Sequence, residues 1–137
     1  MQSNRTKSGS SILVPCVPWL DGALAQLDAI EKLPDGWNSN GAAAPESNLV
    51  EAGRRFLMRL CSTADEISRP HINPTPSGGV QFEWEAGPKY LEVEIVGENA
   101  VSLLFEGPKE FLELPDNVMN DETLEMIVQH ARLVSLS

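Results

Sequence analysis

Val80-Gln81-Phe82-Glu83-Trp84-Glu85-Ala86-Gly87-Pro88-Lys89-Tyr90-Leu91-Glu92-Val93-Glu94-Ile95 is the stretch that decides the fold. Val80, Phe82 and Trp84 alternate with Gln81, Glu83 and Glu85, and Leu91, Val93 and Ile95 alternate with Tyr90, Glu92 and Glu94. A period of two is that of a half-buried strand, because successive side chains leave the pleat on opposite faces. Ala86-Gly87-Pro88-Lys89 reads as a four-residue hairpin loop between the strands. Pairing Glu85 with Tyr90 then sets Trp84 opposite Leu91, Phe82 opposite Val93 and Val80 opposite Ile95. A slip of one residue would destroy the match of every apolar pair, so the pattern fixes the register.

Toward the C-terminus the same test extends the sheet. With Gly97-Glu98-Asn99 as a three-residue loop, Ile95 meets Val101, Val93 meets Leu103 and Leu91 meets Phe105. Gly107-Pro108 then turns the chain into a fourth strand around residues 111 to 114, whose register the pattern leaves open. Asn120 suits a helix N-cap, since its side chain can accept from an unpaired first-turn amide, and Asp121 and Glu122 suit the positive end of the helix dipole. Leu124, Ile127, Val128, Ala131 and Val134 form the apolar stripe of that last helix, with His130 and Arg132 toward its C-terminal end.

Toward the N-terminus, Leu20, Ala23, Leu24, Leu27 and Ile30 recur at helical spacing, and Pro34 ends that helix. Pro45 suits the first position of a second helix, whose buried side is Leu49, Val50, Phe56, Leu57, Leu60 and Cys61. Gly53 lies inside it, where glycine is about 1 kcal/mol worse than alanine. Close packing of another element over Gly53 accounts for it. Pro70, Pro74 and Pro76 make the following stretch extended or turning. Residues 1 to 11 read as a disordered tail and 12 to 137 as a single α+β domain: two N-terminal helices, a four-stranded antiparallel meander, and a C-terminal helix packed on one face of the sheet. Residues 15 to 19, rich in proline and tryptophan, form either an edge strand or a brace for the first helix.

The chain has 137 residues, 42% hydrophobic and 22% charged, which is ordinary globular usage. No run reaches the length needed to cross a bilayer, and residues 12 to 19 lack the form of a signal peptide. Cys16 and Cys61 have no metal-ligand spacing, and Cys61 falls where a buried thiol is expected. A cytoplasmic location is the expectation. The formal net charge is −10. Residues 83 to 125 hold twelve acids and two bases, and the rest of the chain holds eight of each, so this segment carries the whole imbalance. Such a field repels nucleic acid and anionic membranes and attracts basic protein surfaces.

The register also defines the sheet's outward face: Gln81, Glu83, Tyr90, Glu92, Glu94, Ser102, Leu104, Glu106 and Phe111. It sets Glu83 directly opposite Glu92, a like-charge pairing that destabilises a sheet by roughly 0.2 to 1 kcal/mol. One reading is that the acids simply solvate an exposed face. An unpaired repulsion among the apolar groups Tyr90, Leu104 and Phe111 favours instead a surface for a basic protein, with Glu83, Tyr90, Glu92, Glu94, Leu104 and Phe111 as its contacts. A second copy of the chain is the other way to cover the apolar spot. The competing expectation is a small enzyme or ligand-binding domain using the turn-rich loop that holds Trp37, Asn38 and Asn40, together with His71.

Catalytic signals are sparse. His71 and His130 have no nucleophile or metal partner at a recognised spacing. Pro76-Ser77-Gly78-Gly79 lacks the lysine and the strand-to-helix setting of a phosphate loop. Glu83, Glu92 and Glu94 do not follow the spacing of a calcium loop. No catalytic residue, metal or cofactor is assigned, and the expectation is a non-enzymatic binding protein.

Two stretches together resemble a set of small bacterial proteins with no established activity. These are Leu33-Pro34-Asp35-Gly36-Trp37 with Gly41-Ala42 and Pro45, and Pro74-Thr75-Pro76 leading to Gly79-Val80-Gln81-Phe82-Glu83-Trp84, and the likeness spans roughly residues 20 to 106. The resemblance implies a bacterial protein of the accessory gene pool, where small acidic proteins act as antitoxins, immunity proteins or inhibitors of nucleic-acid machinery.

Overall fold

The computed structural model describes residues 17–137. The expected tail at residues 1 to 11, Cys16 and the start of the expected brace lie outside the described residues. The order of elements is α1 (Leu20–Glu31), α2 (Ser47–Thr63), β1 (His71–Pro74), β2 (Val80–Ala86), β3 (Lys89–Gly97), β4 (Ala100–Glu106), β5 (Phe111–Val118) and α3 (Asp121–Ser135). The strands form one antiparallel meander in sequence order. The class is α+β, with five strands where four were expected.

The added strand is β1, hidden from the sequence pattern by Pro70 and Pro74. Proline cannot donate to a ladder, but β1 is an edge strand four residues long and pairs only with β2. Ile72 meets Phe82 and is buried. The carbonyl of Ile72 accepts from the side-chain amide of Gln26 in α1 at 2.9 Å, so a helix closes over this edge.

The central register is as expected from Val80↔Ile95 to Glu85↔Tyr90, and from Tyr90↔Glu106 to Ile95↔Val101. Both turns are tighter than expected. Ala86 pairs with Lys89 and Gly97 with Ala100, leaving two-residue turns. Gly87 takes φ +59°, which opens the first turn without the penalty a Cβ would bring. A shift between Ile95 and Gly97 absorbs the second. Strand β5 runs through Pro115 to Val118, beyond the expected end at residue 114, with a bulge against β4 between Val101 and Leu103 and Asp116 at φ 47°. Its register sets Phe111 opposite Glu106 and Leu112 opposite Phe105.

One apolar cluster fills the space between the sheet and the helices. Phe82, Trp84, Leu91, Val93, Ile95, Leu103 and Phe105 meet Leu27, Val50, Phe56, Leu57, Leu60, Ile127 and Val128, all buried. Helices α2 and α3 lie on β2 and β3, and α1 lies against α2 and β1. The ring of Phe82 comes within 3.4 Å of where a Cβ on Gly53 would stand, the close approach its place in the helix suggested. Helix α2 starts at Ser47 because Glu46 is extended, at ψ 129°, with its amide bound to Gly78 O at 2.9 Å. Pro45 therefore precedes the helix and does not open it. Asn120 caps α3, accepting from the Thr123 amide at 2.9 Å. Trp19 braces α1: its indole donates to Ile67 O at 3.0 Å, while Trp84 donates to Ser68 O at 2.8 Å, and the two pin the α2–β1 connection. No helix among the described residues is long and apolar enough to cross a membrane.

Candidate functional site

Because all three helices sit on one side, the other face of the sheet has no helix over it among the described residues. The four strand registers arrange that face in rows across the strands. One row runs His71, Glu83, Glu92, Leu104, Glu113, and the next Asn73, Gln81, Glu94, Ser102. A third runs Glu85, Tyr90, Glu106, Phe111. At the usual strand spacing of about 4.8 Å, the face is roughly 19 Å wide.

Tyr90 sits between opposed acids. Its hydroxyl is 2.9 Å from Glu83 Oε2 and 2.8 Å from Glu92 Oε1, and the Gln81 side-chain amide also donates to Glu83 Oε2. A phenol carries one proton, so it donates fully to only one carboxylate at a time. Burial of the ring first, then the hydrogen bonds to Glu92 and Glu83, hold the Tyr90 hydroxyl far above its ordinary pKa. Glu94 is raised as well, by its own burial and then by the charges of Glu92 and Asp116. Asp116 arrives through the β5 bulge, where its amide donates to Ser102 Oγ at 3.0 Å.

The ion-paired cations lie elsewhere. Among the described residues the ion pairs are Arg54 with Asp28, Glu31 and Glu51, Arg59 with Asp121, and Arg132 with Glu66. None reaches the acids of the outer face. Lys89 turns to the helix side, where its ammonium donates to Ser137 Oγ at 2.9 Å. Phe111 stands at one corner of the face, 64% exposed, and Leu104 is half-buried beside Glu92 and Glu113.

The six expected contacts Glu83, Tyr90, Glu92, Glu94, Leu104 and Phe111 thus share one surface. The register adds His71 and Asn73 at one margin and Glu113 and Asp116 at the other, which required β1 and the β5 bulge to be known. The residues of the competing expectation lie on different elements. His71 pairs with Glu83 at the sheet edge, whereas Trp37, Asn38 and Asn40 belong to the α1–α2 loop. That loop satisfies itself: Trp37 donates to Ala43 O at 2.9 Å, Asn38 Oδ1 accepts from the amides of Asn40 and Ala42, and Asp35 accepts from the Ala44 amide. His130 packs its ring 4.6 Å from that of Phe105, with Nδ1 2.8 Å from Met126 O, a position within the packing. Among the described residues no three His, Cys, Asp or Glu side chains are grouped to hold a metal ion.

Compared with protein-family models, curated proteins and solved structures, the chain finds no significant match.

Proposed function

We propose that this chain is a non-enzymatic binding protein whose acidic outer sheet face engages a basic protein partner, in the manner of an inhibitor, antitoxin or immunity protein. The observation that carries the reading is the opposition of Glu83 and Glu92 across β2 and β3, held around one tyrosine hydroxyl and left without a cation among the described residues. Opposed carboxylates cost stability in the free protein. A lysine or arginine from a partner removes that cost on binding, which makes the repulsion a source of selectivity for basic surfaces. Tyr90, Leu104 and Phe111 supply the apolar area that charge alone does not give.

The test compares the wild-type chain with the double variant Glu92→Lys and Glu94→Lys in capture from a bacterial lysate at low and high salt. The reading expects a basic protein held by the wild type at low salt, released at high salt, and not held by the variant. Equal capture by a folded variant would place the interaction on another face.

A further inference from the structure

On the helix side, at the end of the sheet where β3 turns into β4, a cleft of about 120 Å³ opens between α2, that turn and the start of α3. Its apolar wall includes Phe56, Ile95, Val101, Met119 and Leu124, and its polar margin includes Arg55, Arg59 and Glu98. The volume is of the order that holds one aromatic ring: an engineered protein cavity of about 150 Å³ takes up benzene.

The charges at the margin are unequally committed. Glu98 accepts from the Asn48 side chain at 3.3 Å, and Asp121 takes Arg59 at 2.8 Å. Arg55, one turn before Arg59 on α2, is exposed and makes no ion pair among the described residues. The cleft therefore combines a ring-sized apolar wall with one uncommitted guanidinium, whose planar fork matches a carboxylate. We infer that this cleft is a binding site for a small carboxylate with an apolar body of about one ring, the body lying against Phe56, Val101, Met119 and Leu124 and the carboxylate on Arg55. The site is on the opposite side of the sheet from the acidic face and is independent of the protein-binding reading.

The experiment is a titration of the isotopically labelled protein with benzoate, and separately with benzyl alcohol, its neutral analogue, followed by amide chemical shifts. Benzoate is expected to shift the amides of residues 52 to 59, 97 to 101 and 119 to 124 saturably and to bind about tenfold more tightly than benzyl alcohol, the scale of a charge-assisted pair. Arg55→Gln, on an exposed helical position that should not disturb folding, removes that preference while benzyl alcohol still binds. Arg55→Lys restores part of it, because the charge returns without the fork. Equal affinities for the two probes in the wild type, an unchanged benzoate titration in Arg55→Gln, or shifts outside the cleft would each overturn the inference. Absence of saturable shifts with either probe would overturn it too.

Discussion

Tyr90 is the chain's one tyrosine, so an alkaline titration reads a single side chain on the candidate face. Free tyrosine ionises at about pH 10. In the folded protein, burial of the ring and then the hydrogen bonds to Glu92 and Glu83 keep the proton on well above that pH. The unfolded chain therefore binds fewer protons than the native one once the pH passes about 10. The stability due to this proton is fully present below that pH and is lost as the pH climbs toward the raised native value. One retained proton sets a limiting slope of about 1.4 kcal/mol per pH unit. Tyr90 is partly exposed, so water screens the effect and the slope from this group falls short of that limit.

The assay follows tyrosinate absorbance and far-ultraviolet circular dichroism in the same samples as the pH is raised. Absorbance is expected only as the helical signal disappears, because ionisation waits for unfolding. Tyr90→Phe should lose the part of the alkaline stability slope that belongs to this proton. Glu92→Gln should bring ionisation to lower pH but not to the free value, since burial is the larger cause and remains. Ionisation near pH 10 in a chain with native dichroism would refute the buried, doubly bridged hydroxyl and with it the geometry of the face.

Glu94→Gln removes a carboxyl whose pKa is raised by burial and by Glu92 and Asp116, so it should raise the melting temperature at neutral pH; the gain should vanish as the pH falls below the ordinary carboxylate range, where both states hold the proton. Gly79→Ala would put a Cβ 2.6 Å from the carbonyl oxygen of Ile95, a backbone atom that cannot swing away; urea unfolding should show a loss of about 1 to 3 kcal/mol. Arg54→Ala removes the guanidinium that joins Asp28 and Glu31 of α1 to Glu51 of α2, and should cost about 1 kcal/mol in low salt and less in high salt, read from the same unfolding curves.

The central hairpin was legible because each side chain had to satisfy a period of two and a partner of the same polarity at once. That double condition by itself sets Glu83 against Glu92, as the sheet has them. Strand β1 was illegible for the opposite reason: four residues with prolines around them give no periodicity, and only Ile72 reports the core. The same limit hid His71 on the outer face, since its position follows from the pairing with Glu83 and not from its neighbours in sequence. In β5 the short run from Phe111 to Leu114 leaves the register open, and the strand continues past Pro115 through a bulge that no local pattern marks. Asp116 could be assigned to the face only through that bulge. The cleft beside Arg55 depends on how three separate elements meet, which no local pattern encodes.

The two sheet edges bear on where a partner can come. A sheet edge with open amides and carbonyls offers backbone pairing to any extended chain, with little selectivity for charge. Strand β1 is short, ends at Pro74 and has the Ile72 carbonyl occupied by Gln26. Strand β5 is interrupted by Pro115 and the left-handed Asp116. Pairing along either edge is thereby restricted to a few residues, whereas the broad face between them, among the described residues, is free of helices and carries one sign of charge. On the proposed reading, a partner drawn by the field of the acidic segment meets side chains before it meets backbone, so its own lysines and arginines, and not its capacity to extend a sheet, decide whether it stays.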